Sequence, residues 1–318
     1  MLTHRIPLQS EQSRTHHTMS LFTDASPISG PRRLRELLAR QEPTLAPGAF
    51  DALSARVVEA AGFDAVYMTG FGSTASLLGQ PDVGLLTERE MMDNARRIAQ
   101  AVNIPLIADA DTGYGNPLNV IRAVRDYEQA GVAALHIEDQ VSPKKCGHMD
   151  RKHVIPRDEM VGKIRAAHDA RGADGILIIA RTDARAIEGL GAAPDRAEPY
   201  RDAGADLLFV EAPQSVDEIE AVARRLKGTP LLFNWAEGGK TPPVALADLA
   251  ALGFNLIIFP ISLLLAATQA MQAAAAAIRN DGSPINLVPT LPSFQQFTDF
   301  IGLPQVKAVE RRYGVEEW

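Results

Sequence analysis

From about Thr44 onward the chain alternates between two hydrophobic rhythms. Short runs of apolar, often β-branched residues are followed by longer stretches in which apolar positions recur every three to four residues. The short runs predict strands at Thr44–Ala46, Ala65–Met68, Leu106–Ala108, Ala134–Ile137, Ile176–Ala180, Leu207–Val210, Leu231–Phe233 and Leu256–Phe259. Amphipathic patterns between them predict helices, among them Glu88–Ala101, Leu118–Ala130, Arg157–Arg171 and Val216–Leu226. Strands alternating with helices imply βαβ units and a parallel sheet. A short cassette also recurs. Ala61-Gly62-Phe63-Asp64-Ala65-Val66 is echoed at Ala130–Leu135, at Ala203–Leu208 and more loosely at Leu252–Ile257. Each glycine falls where a helix should end in a left-handed cap before the next strand. Eight such strands close most naturally into a (β/α)8 TIM barrel, an α/β fold. An open doubly wound sheet is the alternative, weakened because no Gly-rich nucleotide fingerprint follows the first strand.

The pattern divides the chain into three parts. Residues 1–30 are polar, aperiodic and poor in acids. They are expected to be a disordered leader, or an over-long start with Met19 the true initiator; their faint likeness to an organelle transit peptide is the alternative. Residues 31–280 form the barrel. Residues 281–318 form a helical extension that packs on its own subunit or a partner: Pro260 begins a long Ala/Gln/Met helix, Asp281-Gly282-Ser283-Pro284 breaks it, and Ser293–Tyr313 is helical with an apolar face.

Composition narrows the function. The chain has 318 residues, 46% hydrophobic and 22% charged, ample for one large core. A net charge of -7 lacks the basic footprint of a nucleic-acid binder. The longest apolar stretch, Ile261–Ile278, carries Thr268, Gln269 and Gln272, so no membrane span is expected. A single cysteine excludes an intramolecular disulfide and fits a reducing, cytoplasmic setting.

Active sites of TIM barrels form at the carboxyl ends of the strands. There the sequence places Tyr67-Met68-Thr69-Gly70, Asp109-Ala110-Asp111, Glu138-Asp139-Gln140, Arg181-Thr182-Asp183, Glu211 and Asn234. Any one of them reads as a cap or a solvated loop residue. Together, as carboxylates, an arginine and a thiol, they do not. Asp109 and Asp111, two apart on an extended chain, point the same way and meet Glu138 from the next strand. Packed carboxylates need a cation or a shared proton. Mg²⁺, or Mn²⁺, is the natural solution, and the lack of paired His and Cys ligands argues against zinc. Pairing with Arg181 is the alternative. Arg181 has a planar fork suited to a substrate carboxylate. The Thr69-Gly70 backbone and Asn234 can bind a second one, so a small dicarboxylate is the expected ligand.

Cys146 lies in Ser142-Pro143-Lys144-Lys145-Cys146-Gly147-His148-Met149-Asp150. The neighbouring cations should lower its pKa. The stretch Gln140–Val154 is long for a βα loop and is expected to close as a lid. No base or oxyanion hole accompanies the thiol, which favours a general acid over a nucleophile. An incidental loop cysteine is the alternative.

The string Lys144–His148 resembles the catalytic loop of the isocitrate lyase/phosphoenolpyruvate mutase superfamily. Pro81-Asp82, Asp109–Gly115, His136–Gln140 and Arg181–Ala184 support the resemblance, which spans about Pro47 to Arg279. It implies a barrel whose C-terminal helix swaps between paired subunits in a homotetramer. It implies Mg²⁺ near Asp82, Asp109, Asp111 and Glu138, with Asp109 the leading direct ligand. Substrate would contact Tyr67, Thr69, Gly70, Cys146, Gly147, His148, Arg181, Glu211 and Asn234. The string Asn234–Pro242 is similar to the dimethylmalate lyase, petal death protein and oxaloacetate hydrolase branch. Trp235 and Ala236 depart from the aliphatic pair usual there, and either reshape the pocket or face the barrel wall. Met149 stands where methylisocitrate lyases carry arginine, and phosphonate mutases typically lack this form of the loop.

The expected reaction is a Mg²⁺-dependent carbon–carbon cleavage of a 2-hydroxy dicarboxylate. Substrates would be a 2-alkylmalate such as 2,3-dimethylmalate, or methylisocitrate; products would be a 2-keto acid such as pyruvate and a second carboxylate. Cys146, Tyr67, Arg181 and Glu138 are the expected catalytic groups, with Cys146 the general acid and Tyr67 a candidate base. Lys144, Lys145 and His148 would hold the lid shut on acids at the rim. The rivals are oxaloacetate hydrolysis, phosphonopyruvate-type chemistry and a non-enzymatic binding protein on the same barrel.

Overall fold

Eight parallel strands hydrogen-bond in sequence order and close on themselves, β8 pairing with β1. They are β1 (Thr44–Ala49), β2 (Val66–Met68), β3 (Leu106–Asp109), β4 (Ala134–Glu138), β5 (Leu177–Thr182), β6 (Leu207–Val210), β7 (Leu231–Asn234) and β8 (Phe254–Phe259). Helices fill the connections, making a (β/α)8 barrel in a computed structural model that describes residues 30–315. The leader expected for residues 1–30 therefore lies outside the described residues, Gly30 excepted.

The strands read as continuous apolar runs because both faces are buried. Inward positions form one cluster that includes Ala46, Ile107, Leu177, Ile179, Leu207, Phe209, Leu232 and Ile258. Outward positions such as Val66, Met68, Leu135, Ile178 and Leu208 pack under the helices in a second. The helix Gly30–Leu38 adds Leu34, Leu37 and Leu38 to the inward cluster. Its Arg35 donates to the Gly175 carbonyl just before β5, so this helix closes the amino end of the barrel.

Local chemistry sets the joints. The helix Glu88–Ala101 starts in a reciprocal capping box between Thr87 and Glu90. The cassette glycines Gly62, Gly131, Gly204 and Gly253 have φ of 86°, 91°, 109° and 88°, the left-handed region that glycine enters freely.

The described residues fall into two compact units, the second beginning at Val288. The first ends with the helix Ser262–Asp281, which starts two residues later than Pro260 and buries none of its side chains. The second carries two helices, Phe294–Phe300 and Leu303–Arg312, where the pattern predicts one. Gly302, at φ 100°, divides them, and Pro304 has no N–H with which to continue a helical ladder.

Candidate active site

Strand parity builds the site. Tyr67, Asp109, His136, Glu138, Arg181 and Asn234 share the inward parity of the apolar cluster beneath them, and Glu211 continues that parity just past β6. Registers align Asp109 with His136 and Glu138 with Arg181 on adjacent strands. A cavity of about 220 Å³ opens above them. Tyr67, Thr69, Asp82, Asp109, Cys146, Gly147, His148, Arg181, Glu211 and Asn234 are among its lining residues. Phe71, Met149, Ala236, Pro260 and Ile261 supply apolar surface. Gly70 lies against Asp109: a Cβ there would meet Asp109 Oδ2 at 2.4 Å.

The four acids expected around a cation divide into two groups. Asp109 and Glu138 lie together with His136, their ligand atoms within 4.8 Å of one another. Asp82 and Asp111 instead share Lys144, whose Nζ is 2.8 Å from each. Asp111 does not continue an extended chain, as the spacing assumed. Its φ is 47°, and its amide donates to Asp109 Oδ1 at 2.9 Å, so the two carboxylates diverge.

Six carboxylates (Asp82, Asp109, Asp111, Glu138, Asp183 and Glu211) and three cations (Lys144, Lys152 and Arg181) are buried here. This excess of negative charge leaves marks. Burial raises Glu138 well above the usual carboxylate range and Asp111 to about 6. Asp109, against the pull of burial, is held down to about 2 by His136, Lys144 and Arg181. Neither Glu138 oxygen accepts a hydrogen bond, although Arg181 Nη1 approaches Oε2 at 3.1 Å. Buried carboxylate oxygens without hydrogen-bond donors, outnumbering the cations beside them, fit a hard divalent cation such as Mg²⁺. His136, which the strand-end reading passed over although it stands two residues before Glu138 on one face, is committed elsewhere. Its Nε2 lies 2.8 Å from Tyr67 Oη, and burial lowers its pKa to about 4.

The anion-binding groups are also partly spoken for. The Arg181 fork is held by Asp183, through Nε at 2.9 Å and Nη2 at 3.1 Å, and its other edge faces Glu138 and Glu211, with Nη1 3.1 Å from Glu138 Oε2 and Nη2 3.6 Å from Glu211 Oε2; the residue still lines the cavity. The Thr69 amide donates to Ala49 and is not available, whereas Gly70 and Phe71 open the next helix with N–H groups that have no intrahelical acceptor. Asn234 spends its amide hydrogens on Glu211 at 3.3 Å, and its buried Oδ1 has no partner.

The Gln140–Val154 loop is pinned at its base by a bridge between those two residues and lies over the cavity. Lys144 and His148 reach acids, His148 Nε2 lying 3.4 Å from Glu211. Lys145 does not; its ammonium donates to the Arg151 carbonyl. The sequence reading missed Lys152, which is buried and donates to both the Gly147 carbonyl and Asp183 Oδ1. Nothing in the local pattern separates it from its solvated neighbours.

One pKa expectation is corrected. Cys146 is not lowered: burial, with Asp82 and Glu211, pushes the thiol up to about 11, because Lys144 and Lys145 turn their charge elsewhere. For Tyr67, the candidate base, burial and the Asp109 charge raise the phenol well above its ordinary value, which counts against that role. The choice left open at Trp235-Ala236 is also resolved. Trp235 packs on Phe259 in the outer shell and donates to the Val244 carbonyl, while Ala236 lines the cavity.

Residues 34–279 match the family model of phosphoenolpyruvate phosphomutase. The 2,3-dimethylmalate lyase of Eubacterium barkeri is 47% identical over 281 residues, covering 88% of this chain and 97% of that protein. A crystal structure of 2,3-dimethylmalate lyase superposes with a TM-score of 0.85 at 41% identity, covering 90% of this chain and 96% of that one. A structure of oxaloacetate acetylhydrolase with 3,3-difluorooxalacetate superposes with a TM-score of 0.86 at 37% identity, covering 91% and 99%.

Proposed function

Because the chain belongs to the phosphoenolpyruvate mutase/isocitrate lyase superfamily and is a carbon–carbon lyase of it, we propose that it cleaves a 2-alkylmalate, such as 2,3-dimethylmalate, to a 2-keto acid and a second carboxylate. The observation that carries this reading is the thiol. Cys146 lines the same cavity as Arg181 and Asp109, burial raises its thiol so that it keeps its proton, and the cavity also has apolar walls. A protonated thiol is a proton donor, which is what the enolate released by such a cleavage requires.

A divalent cation, Mg²⁺ or Mn²⁺, held by Asp109 and Glu138 would polarise the 2-hydroxyl and a neighbouring carboxylate. The chain's own groups do the rest. Arg181, as its partners Glu138 and Glu211 yield to the cation and the substrate, and the amides of Gly70 and Phe71 bind the two carboxylates. A cavity-lining carboxylate that does not hold the cation, Asp82 or Glu211, takes up the hydroxyl proton. The C2–C3 bond breaks and its electrons pass to the departing enolate, whose charge Arg181 faces. Cys146 Sγ gives its proton to the enolate carbon. Phe71, Met149, Ala236, Pro260 and Ile261 enclose the alkyl groups and exclude water.

Leu265, Met271 and Ile278 stand exposed on the helix Ser262–Asp281, as does Phe294 in the C-terminal unit. They support association into a homotetramer, which light scattering of the purified protein would test. Among the described residues no helix is long and apolar enough to cross a membrane.

The deciding experiment incubates the protein and Mg²⁺ with 2,3-dimethylmalate, 2-ethyl-3-methylmalate, methylisocitrate, oxaloacetate and phosphonopyruvate, following products by NMR. A 2-keto acid from an alkylmalate, lost on chelation and restored by Mg²⁺, supports the proposal. Oxalate and acetate from oxaloacetate alone would replace it with the hydrolase reading.

A further inference from the structure

We propose that His136 is a positioning residue: it holds Tyr67 with the phenolic hydrogen turned into the cavity, so that Tyr67 donates a hydrogen bond to bound substrate instead of acting as a base. The substrate half of this inference rests on the lyase reading; the His136 half stands on geometry alone.

Tyr67 Oη and His136 Nε2 are 2.8 Å apart, so one hydrogen lies between them and either group can own it. The imidazole is packed between two aromatic rings. It is stacked on Tyr67 at 5.8 Å and 16°, and the edge of the Phe209 ring closes on it at 5.8 Å and 87°. The other ring nitrogen assigns the hydrogen. His136 Nδ1 is buried with no hydrogen-bond partner among the described residues. A hydrogen placed there would be a buried donor without an acceptor, one of the costlier defects a core can carry. This puts the hydrogen on Nε2. A doubly protonated ring is disfavoured by the same orphaned Nδ1.

With Nε2–H donating to Oη, the phenol's own hydrogen must point elsewhere. Tyr67 lines the cavity beside Asp109 and Arg181, so that hydrogen faces the place where substrate oxygens would sit. A basic Tyr67 would instead need to pass its proton to His136, whose only vacant nitrogen is the one turned away from it.

The test is long-range ¹H–¹⁵N NMR of the full chain with ¹⁵N-labelled histidine, without substrate, with and without Mg²⁺. His136 is assigned among the seven histidines by its loss in His136→Gln and its shift in Tyr67→Phe, so either variant suffices. The expected result is the Nε2–H tautomer; an Nδ1–H tautomer or an imidazolium overturns the proposal. Kinetics supply the second arm. Tyr67→Phe should lower kcat on the order of 100-fold, as loss of an oxyanion donor does, with the shape of the pH profile kept. In a His136→Gln background the same change should cost little more. Fully multiplicative losses, or disappearance of a pH limb in Tyr67→Phe, refute positioning. If no alkylmalate is turned over at all, the lyase reading fails, while the tautomer still decides the role of His136.

Discussion

Replacing Lys152 by methionine separates a structural latch from a bystander. Its ammonium is buried, 2.7 Å from Asp183 Oδ1, and also donates to the Gly147 carbonyl. Methionine keeps the apolar stem and removes the charge, leaving Asp183 buried and one partner short. Breaking a buried pair this way costs about 3–5 kcal/mol. Asp183 retains two hydrogen bonds from Arg181, which puts the expected cost at the low end, about 3 kcal/mol. Unfolding entropy of about 2.1 cal/mol/K per residue over the 286 residues from 30 to 315 gives roughly 0.6 kcal/mol/K, so Tm should fall by about 5 °C. The damage should concentrate in the Gln140–Val154 loop, because Lys152 is the tie between Gly147 and β5. Differential scanning calorimetry reads the first effect and limited trypsinolysis at Lys145 and Arg151 the second. An unchanged Tm together with an unchanged cleavage pattern would falsify the latch. A pH titration adds the sign. Arg181 and Lys152 hold the Asp183 carboxyl below its usual range, so its stabilisation is complete above pH about 4 and is lost on acidification. Lys152→Met should therefore narrow its stability gap with the wild type as pH falls.

Cys146→Ser should lower kcat on the order of 10²–10⁴-fold, the usual contribution of a general acid, while Mg²⁺-dependent binding of substrate persists in calorimetry; near-normal turnover sinks the assignment. Iodoacetamide should alkylate Cys146 slowly at pH 8 and accelerate toward pH 11, because the thiol is raised to about 11; a rate at pH 8 matching a free thiol contradicts the half-buried, proton-bearing sulfur. Gly147→Ala places a Cβ 2.5 Å from Glu211 Cδ and 2.6 Å from Arg181 Nη2, so either the loop lifts or these two site side chains are displaced. Its turnover should collapse with little loss of Tm, and full activity would show that the loop has room to spare. Ala236→Leu should fill the apolar side of the cavity and raise KM more for 2-ethyl-3-methylmalate than for 2,3-dimethylmalate, with equal effects counting against that wall as the alkyl site.

The barrel was legible because a doubly buried strand and an amphipathic helix leave different hydrophobic periods, and all eight strands lie where the pattern places them. The glycine that ends each cassette helix was equally plain, since few other residues tolerate φ near 90°. The inward acids and Arg181 follow from parity, a rule with one free choice per strand. Parity fails where the strand stops. At Asp111 the backbone enters the left-handed region, and the carboxylate goes to Lys144 instead of joining Asp109. Lys152 and the partners of Lys145 belong to a loop whose path depends on long-range contacts such as that with Asp183. No local pattern reports those contacts.

The cysteine shows why loop electrostatics resist sequence reading. Two lysines flank it on one side, and adjacency suggests a lowered pKa. In space one lysine is consumed by Asp82 and Asp111 and the other reaches a carbonyl, while Asp82 and Glu211 act on the sulfur itself. The sign reverses, and the reversal is chemically coherent. An excess of buried carboxylate attracts a hard cation, and it also holds protons on the neutral donors nearby. Tyr67 is raised by burial and Asp109, and Cys146 by burial and Asp82. A site of that kind is poorly suited to generating a thiolate nucleophile. It is well suited to polarising a hydroxy acid at one end and delivering a proton to carbon at the other, which is the division of labour a carbon–carbon lyase needs.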